Sequence, residues 1–243
     1  MYCLFDTCVI AGYYLPQSTR SQKSVLNARI LIESVRSGAS QHFFYIPNFC
    51  IAEVFDVFMK YTYGHWNKHV KAGTLDKRIY RSIRNQFQQD IHNATLFYHY
   101  ELSRYHVLAL NLVGPVDHYF RLAHADTQKG KNVVPAGTFD HLLIAMGLHL
   151  VKLHGQGNVV IVTADDRLEK VVKKCRAQLP SATVKKLGLD EAGTFTGIPF
   201  APESFPDVIN LKTASQSTLV KHFGAWPLTV AKPYTKPYLA RIP

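Results

Sequence analysis

The chain has 243 residues, of which 47% are hydrophobic and 19% are charged, an ordinary composition for a globular protein. It contains 28 Lys and Arg against 17 Asp and Glu, and this formal net charge of +11 favours a polyanionic partner. The composition excludes a largely disordered chain, and four cysteines are too few for a disulfide scaffold.

Features of the termini and cysteines predict a cytoplasmic protein without a membrane partner. The N-terminal segment has an acid at Asp6 and lacks the basic region of a secretory signal. The sequence has no run of about 18 apolar residues that could span a bilayer. The cysteines show no Cys-x-x-Cys spacing, so we expect them to be reduced thiols rather than zinc ligands.

Short apolar runs alternate with amphipathic segments along the chain. The predicted elements, in chain order, are a strand at 2–5, a helix at 22–37, a strand at 42–46, a helix at 49–63, a helix at 138–153, a strand at 158–163, a helix at 165–178 and a weak strand at 183–187. This alternation predicts an α/β fold with a parallel sheet covered by helices.

The domain organisation predicted from these elements is one α/β domain at 1–211. A segment at 64–134 has helical patterns and few strand signals, so we expect a mainly helical insert there. Residues 212–243 contain scattered prolines and basic residues, and we expect a basic tail.

Four of the 17 acids occupy related positions in the predicted elements. Asp6 ends the first strand, and Asp165 follows the strand at 158–163. Glu53 and Asp140 lie in the first turns of predicted helices. In a doubly wound sheet these two strands are neighbours, so we expect the four carboxylates to converge.

Converging carboxylates predict a metal site, because they repel one another unless a cation lies between them. Oxygen ligands with few nitrogens or sulfurs suit Mg²⁺ or Mn²⁺. Such an ion activates water and neutralises developing charge during phosphodiester hydrolysis. The positive charge elsewhere would hold the rest of a nucleic acid.

The same acids stand in motifs that resemble the PIN-domain family. The motifs are FDTCVI at 5–10, Glu53 in IPNFCIAEVF, Asp140 in GTFDHLLIA, and Thr163-Ala164-Asp165 in VVIVTADDRL. The resemblance covers roughly 1–63 and 136–190, and one position departs from it, because Cys8 stands where Ser or Asn is more usual.

The resemblance implies a Rossmann-like, three-layer α/β/α sandwich and a metal-dependent, usually RNA-cleaving, nuclease. It implies that Asp6, Glu53, Asp140 and Asp165 bind one or two Mg²⁺ or Mn²⁺ ions and that Thr163 helps to organise the site. Thr7 and Asp166 are candidates for an outer shell around the metal. Water attack in this family implies 5′-phosphate and 3′-hydroxyl ends.

The family also suggests partners. Its members often dimerise, and some are toxins held by an inhibitor protein, whereas others process or degrade RNA. A toxin of a toxin–antitoxin pair and an RNA-processing enzyme both remain open here, and the length of the chain argues mildly against a minimal toxin.

Two basic segments are predicted to contact nucleic acid. The segment at 60–84 interleaves cations with aromatic residues, a combination that suits phosphates and unpaired bases. On the helix at 165–178, three cations share one face. The predicted contacts are Lys68, Lys71, Arg78, Arg81, Arg167, Lys170 and Lys174.

Two alternative functions stay open at this point. One is a catalytically silent RNA-binding or scaffold module of the same fold, although the chain keeps all four acids. The other is a DNA-directed nuclease, because sequence alone does not separate RNA from DNA in this fold. A haloacid-dehalogenase-type phosphohydrolase requires Asp-x-Asp after the first strand, and Cys8 occupies the second position.

Overall fold

The computed structural model describes residues 1–16, 22–63, 76–94, 96–121, 136–224 and 226. The chain divides into two compact units. The first unit comprises Met1–Leu4 and Glu101–Asn210, and the second unit comprises Phe5–Tyr100 and Leu211–Pro243.

The strands of the described chain are β1 (Tyr2–Phe5), β2 (Phe43–Pro47), β3 (Tyr98–Tyr100), β4 (Val159–Thr163) and β5 (Asp207–Asn210). They form an all-parallel sheet with the order β3-β2-β1-β4-β5. In its register, Tyr45 of β2 faces Tyr98 of β3, and Val160 of β4 faces Asp207 of β5. The predicted Rossmann-like α/β class is confirmed, as is the adjacency of the first strand and the strand at 158–163.

Helices flank this sheet, as a three-layer α/β/α sandwich requires. In chain order they are α1 (Thr7–Tyr14), α2 (Gln22–Arg36), α3 (Asn48–Tyr63), α4 (Lys77–His92), α5 (Arg104–Phe120), α6 (Thr138–His154), α7 (Asp166–Cys175), α8 (Ser181–Lys186), α9 (Leu189–Thr196) and α10 (Gln216–Phe223). The described residues contain no helix that is long and apolar enough to cross a bilayer.

The core of the first unit is built around β4, which is buried along its whole length. This burial is typical of an apolar strand in a parallel sheet. Helix α6 packs against β4, and α5 packs against α6, α7 and α9. Gly147 permits the close approach of α6, since a Cβ there would lie 2.8 Å from the Pro206 Cγ just before β5.

The core of the second unit is rich in aromatic side chains. Phe44 of β2 packs edge-on against Phe5, with 4.8 Å between ring centroids. A second group of aromatic side chains connects three helices: Tyr14 of α1 contacts Phe58 of α3 and Phe87 of α4. Edge-to-face pairs of this kind add to the free energy gained from burial alone.

A buried polar network attaches α4 to the other helices of the second unit. Arg36 makes two hydrogen bonds to the Asp90 carboxylate, at 3.0 and 2.6 Å. The hydroxyl of Tyr14 donates to the same carboxylate at 2.6 Å. Asp90 is 7% exposed, and the bidentate pairing with Arg36 compensates the free-energy cost of removing the carboxylate from water.

Three segments differ from the sequence-based predictions or add to them. The predicted strand at 183–187 is wrong, because this segment lies in α8 and the α8 cap; the carbonyl of Pro180 accepts from the Thr183 amide at 2.8 Å. The predicted insert at 64–134 contributes β3 to the sheet. The predicted tail at 212–243 contains α10, whose Leu219 and Phe223 are buried.

Candidate functional site

In the second unit, two predicted ligands each accept a hydrogen bond from a residue in the first turn of α1. Asp6 is the N-cap residue of α1, directly after β1. Its carboxylate accepts a hydrogen bond from the Cys8 thiol at 2.8 Å. The hydroxyl of Thr7 donates to the Glu53 carboxylate at 2.5 Å. Thr7 is 8% exposed, so it fixes the position of Glu53 from a buried site.

The pKa of Cys50 reports the charge around this group. The pKa of the Cys50 thiol is raised, first by burial and then by the nearby negative charges of Asp6 and Glu53. A hydrogen bond with Thr7 acts in the opposite direction. Both carboxylates therefore act on one buried thiol, and the thiol stays protonated at neutral pH. We call Asp6 and Glu53 the second-unit acid pair.

In the first unit, Asp140 lies in the first turn of α6. Its carboxylate accepts a hydrogen bond from the backbone N–H of Gly137 at 2.9 Å. The pKa of Asp140 is raised, mainly by burial and also by the negative charge of Asp165. The Gly137 hydrogen bond and the charge of Arg167 oppose this rise.

Asp165 is held by three contacts where β4 passes into α7. As the N-cap residue of α7 it accepts from the Arg167 backbone N–H at 2.7 Å. The Arg167 side chain forms an ion pair with the same carboxylate at 3.1 Å. The backbone N–H of Asp165 donates to the Thr163 hydroxyl at 2.9 Å. Thr163 thus organises the turn that carries Asp165, and we call Asp140 and Asp165 the first-unit acid pair.

The neighbouring Asp166 has a structural partner. Its carboxylate accepts from the Asn210 side-chain amide of β5 at 2.8 Å, and the same amide also reaches Glu169 at 2.9 Å. Asp166 therefore helps to attach α7 to β5, and the predicted outer-shell role stays a prediction.

Asp117 of α5 is an acid that the sequence analysis did not single out. It is 0% exposed and accepts hydrogen bonds from the Ala136 backbone N–H and from the His141 ring, both at 3.0 Å. These two bonds hold the start of α6, where Asp140 lies. The available signal was an acid directly after Val116 on a mostly apolar helix, a place where an unpaired carboxylate is costly.

The basic residues predicted to contact nucleic acid have different surroundings. Arg78 and Arg81 are exposed on α4. Lys170 is partly buried on α7, and Lys174 places its ammonium 4.0 Å from the ring centroid of Phe120. Lys68 and Lys71 lie outside the described residues.

The acid pairs can offer hard oxygen ligands to a cation. Burial and, to a smaller extent, the negative charge of Asp165 raise the pKa of Asp140, and a bound cation would offset both effects. Across the described part of the chain, no three or more His, Cys, Asp or Glu side chains are grouped as a metal site. The chemistry of each pair fits Mg²⁺ or Mn²⁺, and the four-carboxylate metal site stays a prediction.

Comparisons extend this description no further. No family model, no curated protein and no solved structure matches this chain. The resemblance to the PIN-domain family therefore depends on the four motifs of the chain itself.

Proposed function

We propose that this protein is a Mg²⁺- or Mn²⁺-dependent endoribonuclease that hydrolyses phosphodiester bonds. The observation that carries the proposal is that each unit holds one acid pair at the start of helices, beside the ends of β1 and β4. Helix starts favour carboxylates, and two carboxylates close together repel each other, so such pairs suit a bound cation.

Asp6, Glu53, Asp140 and Asp165 are the proposed ligands for one or two ions. When bound, the metal would supply an activated water and neutralise charge at the scissile phosphate. The resemblance of all four motifs to the PIN-domain family supports this assignment, since the four acids occur in the order and context of that family.

The remaining residues hold these acids in place. Thr7 orients Glu53 through its hydroxyl, and the Gly137 N–H orients Asp140. Arg167 neutralises Asp165 in the absence of metal. With a cation bound to Asp165, the Arg167 guanidinium would be able to hold a phosphate oxygen of the substrate.

Positive charge on α4 supports a nucleic-acid substrate. Its exposed cations include Lys77, Arg78 and Arg81, and the Asp90 carboxylate of the same helix is buried against Arg36. The exposed side of α4 is therefore strongly positive. Such a surface suits a phosphate backbone of RNA, and of DNA as the alternative substrate.

The decisive experiment is a cleavage assay with purified full-length protein and mixed single-stranded and structured RNA. The reactions contain EDTA, Mg²⁺ or Mn²⁺, and a DNA of matched sequence is run beside the RNA. Asp6→Asn, Glu53→Gln and Asp165→Asn are compared with Asp56→Asn, which alters an exposed acid paired with Lys60 on α3.

We expect metal-dependent cleavage that leaves 5′-phosphate ends. The three ligand variants should lose at least 100-fold in rate, since removing one electrostatic catalytic contact typically costs 10²–10³, whereas Asp56→Asn should match the wild type. Metal-independent cleavage, or full activity in the ligand variants, would contradict the proposal. Salt-sensitive RNA binding without cleavage would favour the binding-module alternative.

A further inference from the structure

Two consecutive aromatic residues, an exposed Tyr119 and a partly buried Phe120, end α5 in the first unit. The rings of Tyr119 and Phe120 are nearly perpendicular, with 4.9 Å between their centroids. Tyr119 is 45% exposed, although large aromatic residues usually contribute most when they are buried.

Two lysines from other helices contact these rings. The Lys174 ammonium, in the last turn of α7, lies 4.0 Å from the Phe120 centroid. The Lys186 ammonium, in the last turn of α8, lies 5.0 Å from the Tyr119 centroid. We call Tyr119, Phe120, Lys174 and Lys186 the aromatic–lysine platform.

Ordinary structural roles explain only part of this platform. A lysine in the last turn of a helix interacts favourably with the negative end of the helix dipole, and this accounts for the positions of Lys174 and Lys186. Nearby cations of α7 are neutralised by carboxylates, because Lys173 pairs with Glu169 and Arg176 pairs with Asp207. Lys174 and Lys186 instead contact aromatic rings, which do not cancel their charge.

Helices α5 and α7 connect the platform to the first-unit acid pair. Asp117, one turn before Phe120 on α5, holds the start of α6 and hence Asp140. Helix α7 begins just after Asp165 and carries Lys174 in its last turn. Its ten residues span about 15 Å, a length comparable to roughly four stacked nucleotides at about 3.4 Å each.

We propose that the aromatic–lysine platform binds unpaired nucleotides of a single-stranded RNA, with a base stacked on the face of Tyr119 opposite Lys186 and phosphates bound by Lys174 and Lys186. Aromatic rings can stack only on bases that are unpaired and accessible, whereas a duplex offers mainly its backbone. The inference rests on the proposed function, because it adds to that nuclease a separate binding site for unpaired nucleotides of its RNA.

Binding measurements in EDTA test the platform separately from cleavage. The probes are a fluorescent, unstructured oligouridylate and a hairpin RNA of the same length, both titrated with full-length protein. Tyr119→Leu and Lys186→Gln are the test variants. Phe195→Leu is the matched control, because Phe195 is 81% exposed on α9 of the same unit. Thermal melts establish that each variant is folded.

We expect Tyr119→Leu to weaken oligouridylate binding roughly tenfold, the usual scale for one stacked base, and to change hairpin binding less than twofold. Lys186→Gln should reduce the slope of log affinity against log salt by about 0.7, the value for one phosphate contact to a single strand. Phe195→Leu should bind like the wild type. Unchanged oligouridylate binding in a folded Tyr119→Leu variant, or an equal loss for both RNAs, would overturn the inference.

The two proposals fail in different ways. Asp165→Asn should still bind oligouridylate in EDTA while losing cleavage. Normal binding by the platform variants, together with loss of cleavage in Asp165→Asn, would reject the platform and retain the nuclease. Weakened binding by the platform variants, together with metal-independent or absent cleavage by the wild type, would reject the nuclease and retain the platform.

Discussion

At the scale of single residues, the acids of the first unit differ in how their charge is compensated. Asp117 is completely buried but accepts hydrogen bonds from Ala136 and His141. Asp165 has the charge of Arg167 beside it. Asp140 has one backbone hydrogen bond and a raised pKa. The ionised form of Asp140 is therefore disfavoured in the folded chain, a property that its proposed role as a metal ligand would explain.

The raised pKa of Asp140 predicts that Asp140→Asn stabilises the metal-free protein. An acid whose pKa is higher in the folded chain than its ordinary value of 3.8 destabilises the fold once it is ionised. The amide of Asn can still accept from Gly137 but carries no charge. We expect the melting temperature in EDTA at pH 7 to rise by a few degrees.

Melting temperatures measured at several pH values, with and without Mn²⁺, check the cause of this stabilisation. The difference in melting temperature between variant and wild type should narrow as the pH falls towards the ordinary pKa of 3.8, because wild-type Asp140 then becomes protonated. Adding Mn²⁺ should stabilise the wild type more than the variant. A variant that melts below the wild type at pH 7 would contradict this account.

At the scale of elements, helix α5 begins with a cap that depends on a neutral histidine. The Ser103 backbone N–H donates to the His106 Nδ1 at 2.9 Å, and His106 Nε2 contacts His149 Nδ1 at 3.1 Å. Burial, with a smaller contribution from His149, lowers the pKa of His106 to about 4. Protonation would remove the acceptor for Ser103, so the cap requires the neutral ring.

This cap predicts a loss of stability in mild acid. Between the ordinary pKa of 6.5 and about 4, the unfolded chain binds up to about one proton more at His106 than the folded protein does. The free energy of unfolding should therefore fall as the pH falls through this window. Urea unfolding at several pH values measures the slope of the free energy of unfolding against pH.

His106→Gln is the matched variant, because Gln at this position can accept from the same backbone N–H without titrating. We expect it to flatten the slope between pH 6.5 and 4. His92→Gln, at an exposed position on α4, should leave the slope as in the wild type. An equal slope in all three proteins would show that His106 titrates normally.

At the scale of the whole molecule, the excess of 11 positive charges is the property most relevant to a nucleic-acid partner. Several cations are engaged within the protein, including Arg36 with Asp90 and Arg176 with Asp207. Others, such as Arg78 and Arg81, are exposed on one side of α4. The net charge alone therefore overstates the number of cations that reach a phosphate backbone.

Salt dependence distinguishes a cation that contacts a phosphate from one that only adds to the net charge. If Arg81 contacts a phosphate, Arg81→Gln should reduce the slope of log affinity against log salt by slightly less than one. Lys221→Gln on α10 removes the same charge and should change the slope less. Fluorescence anisotropy with RNA in EDTA, at several salt concentrations, provides both slopes. Equal slopes for the two variants would indicate a diffuse effect of net charge.

The differences between predicted and observed elements have physical causes. Thr183 and Val184 favour a strand by propensity, but Pro180 sets the first turn of α8 and α8 packs against α9. Strands β3 and β5 have only three and four residues, too few for a clear alternation of apolar and polar side chains. Pairing with β2 and β4 provides the hydrogen bonds that such short segments cannot make alone.

The sequence by itself determined the α/β class, the strands β1 and β4, and the acids within two residues of their ends, because an apolar run followed closely by an acid is a local pattern. Only the tertiary structure decided which groups hold those acids. The Thr7–Glu53 bond joins residues 46 positions apart, and the Asp117–His141 bond joins residues 24 positions apart. Contacts between distant parts of the chain depend on how helices pack, and no local pattern encodes that packing.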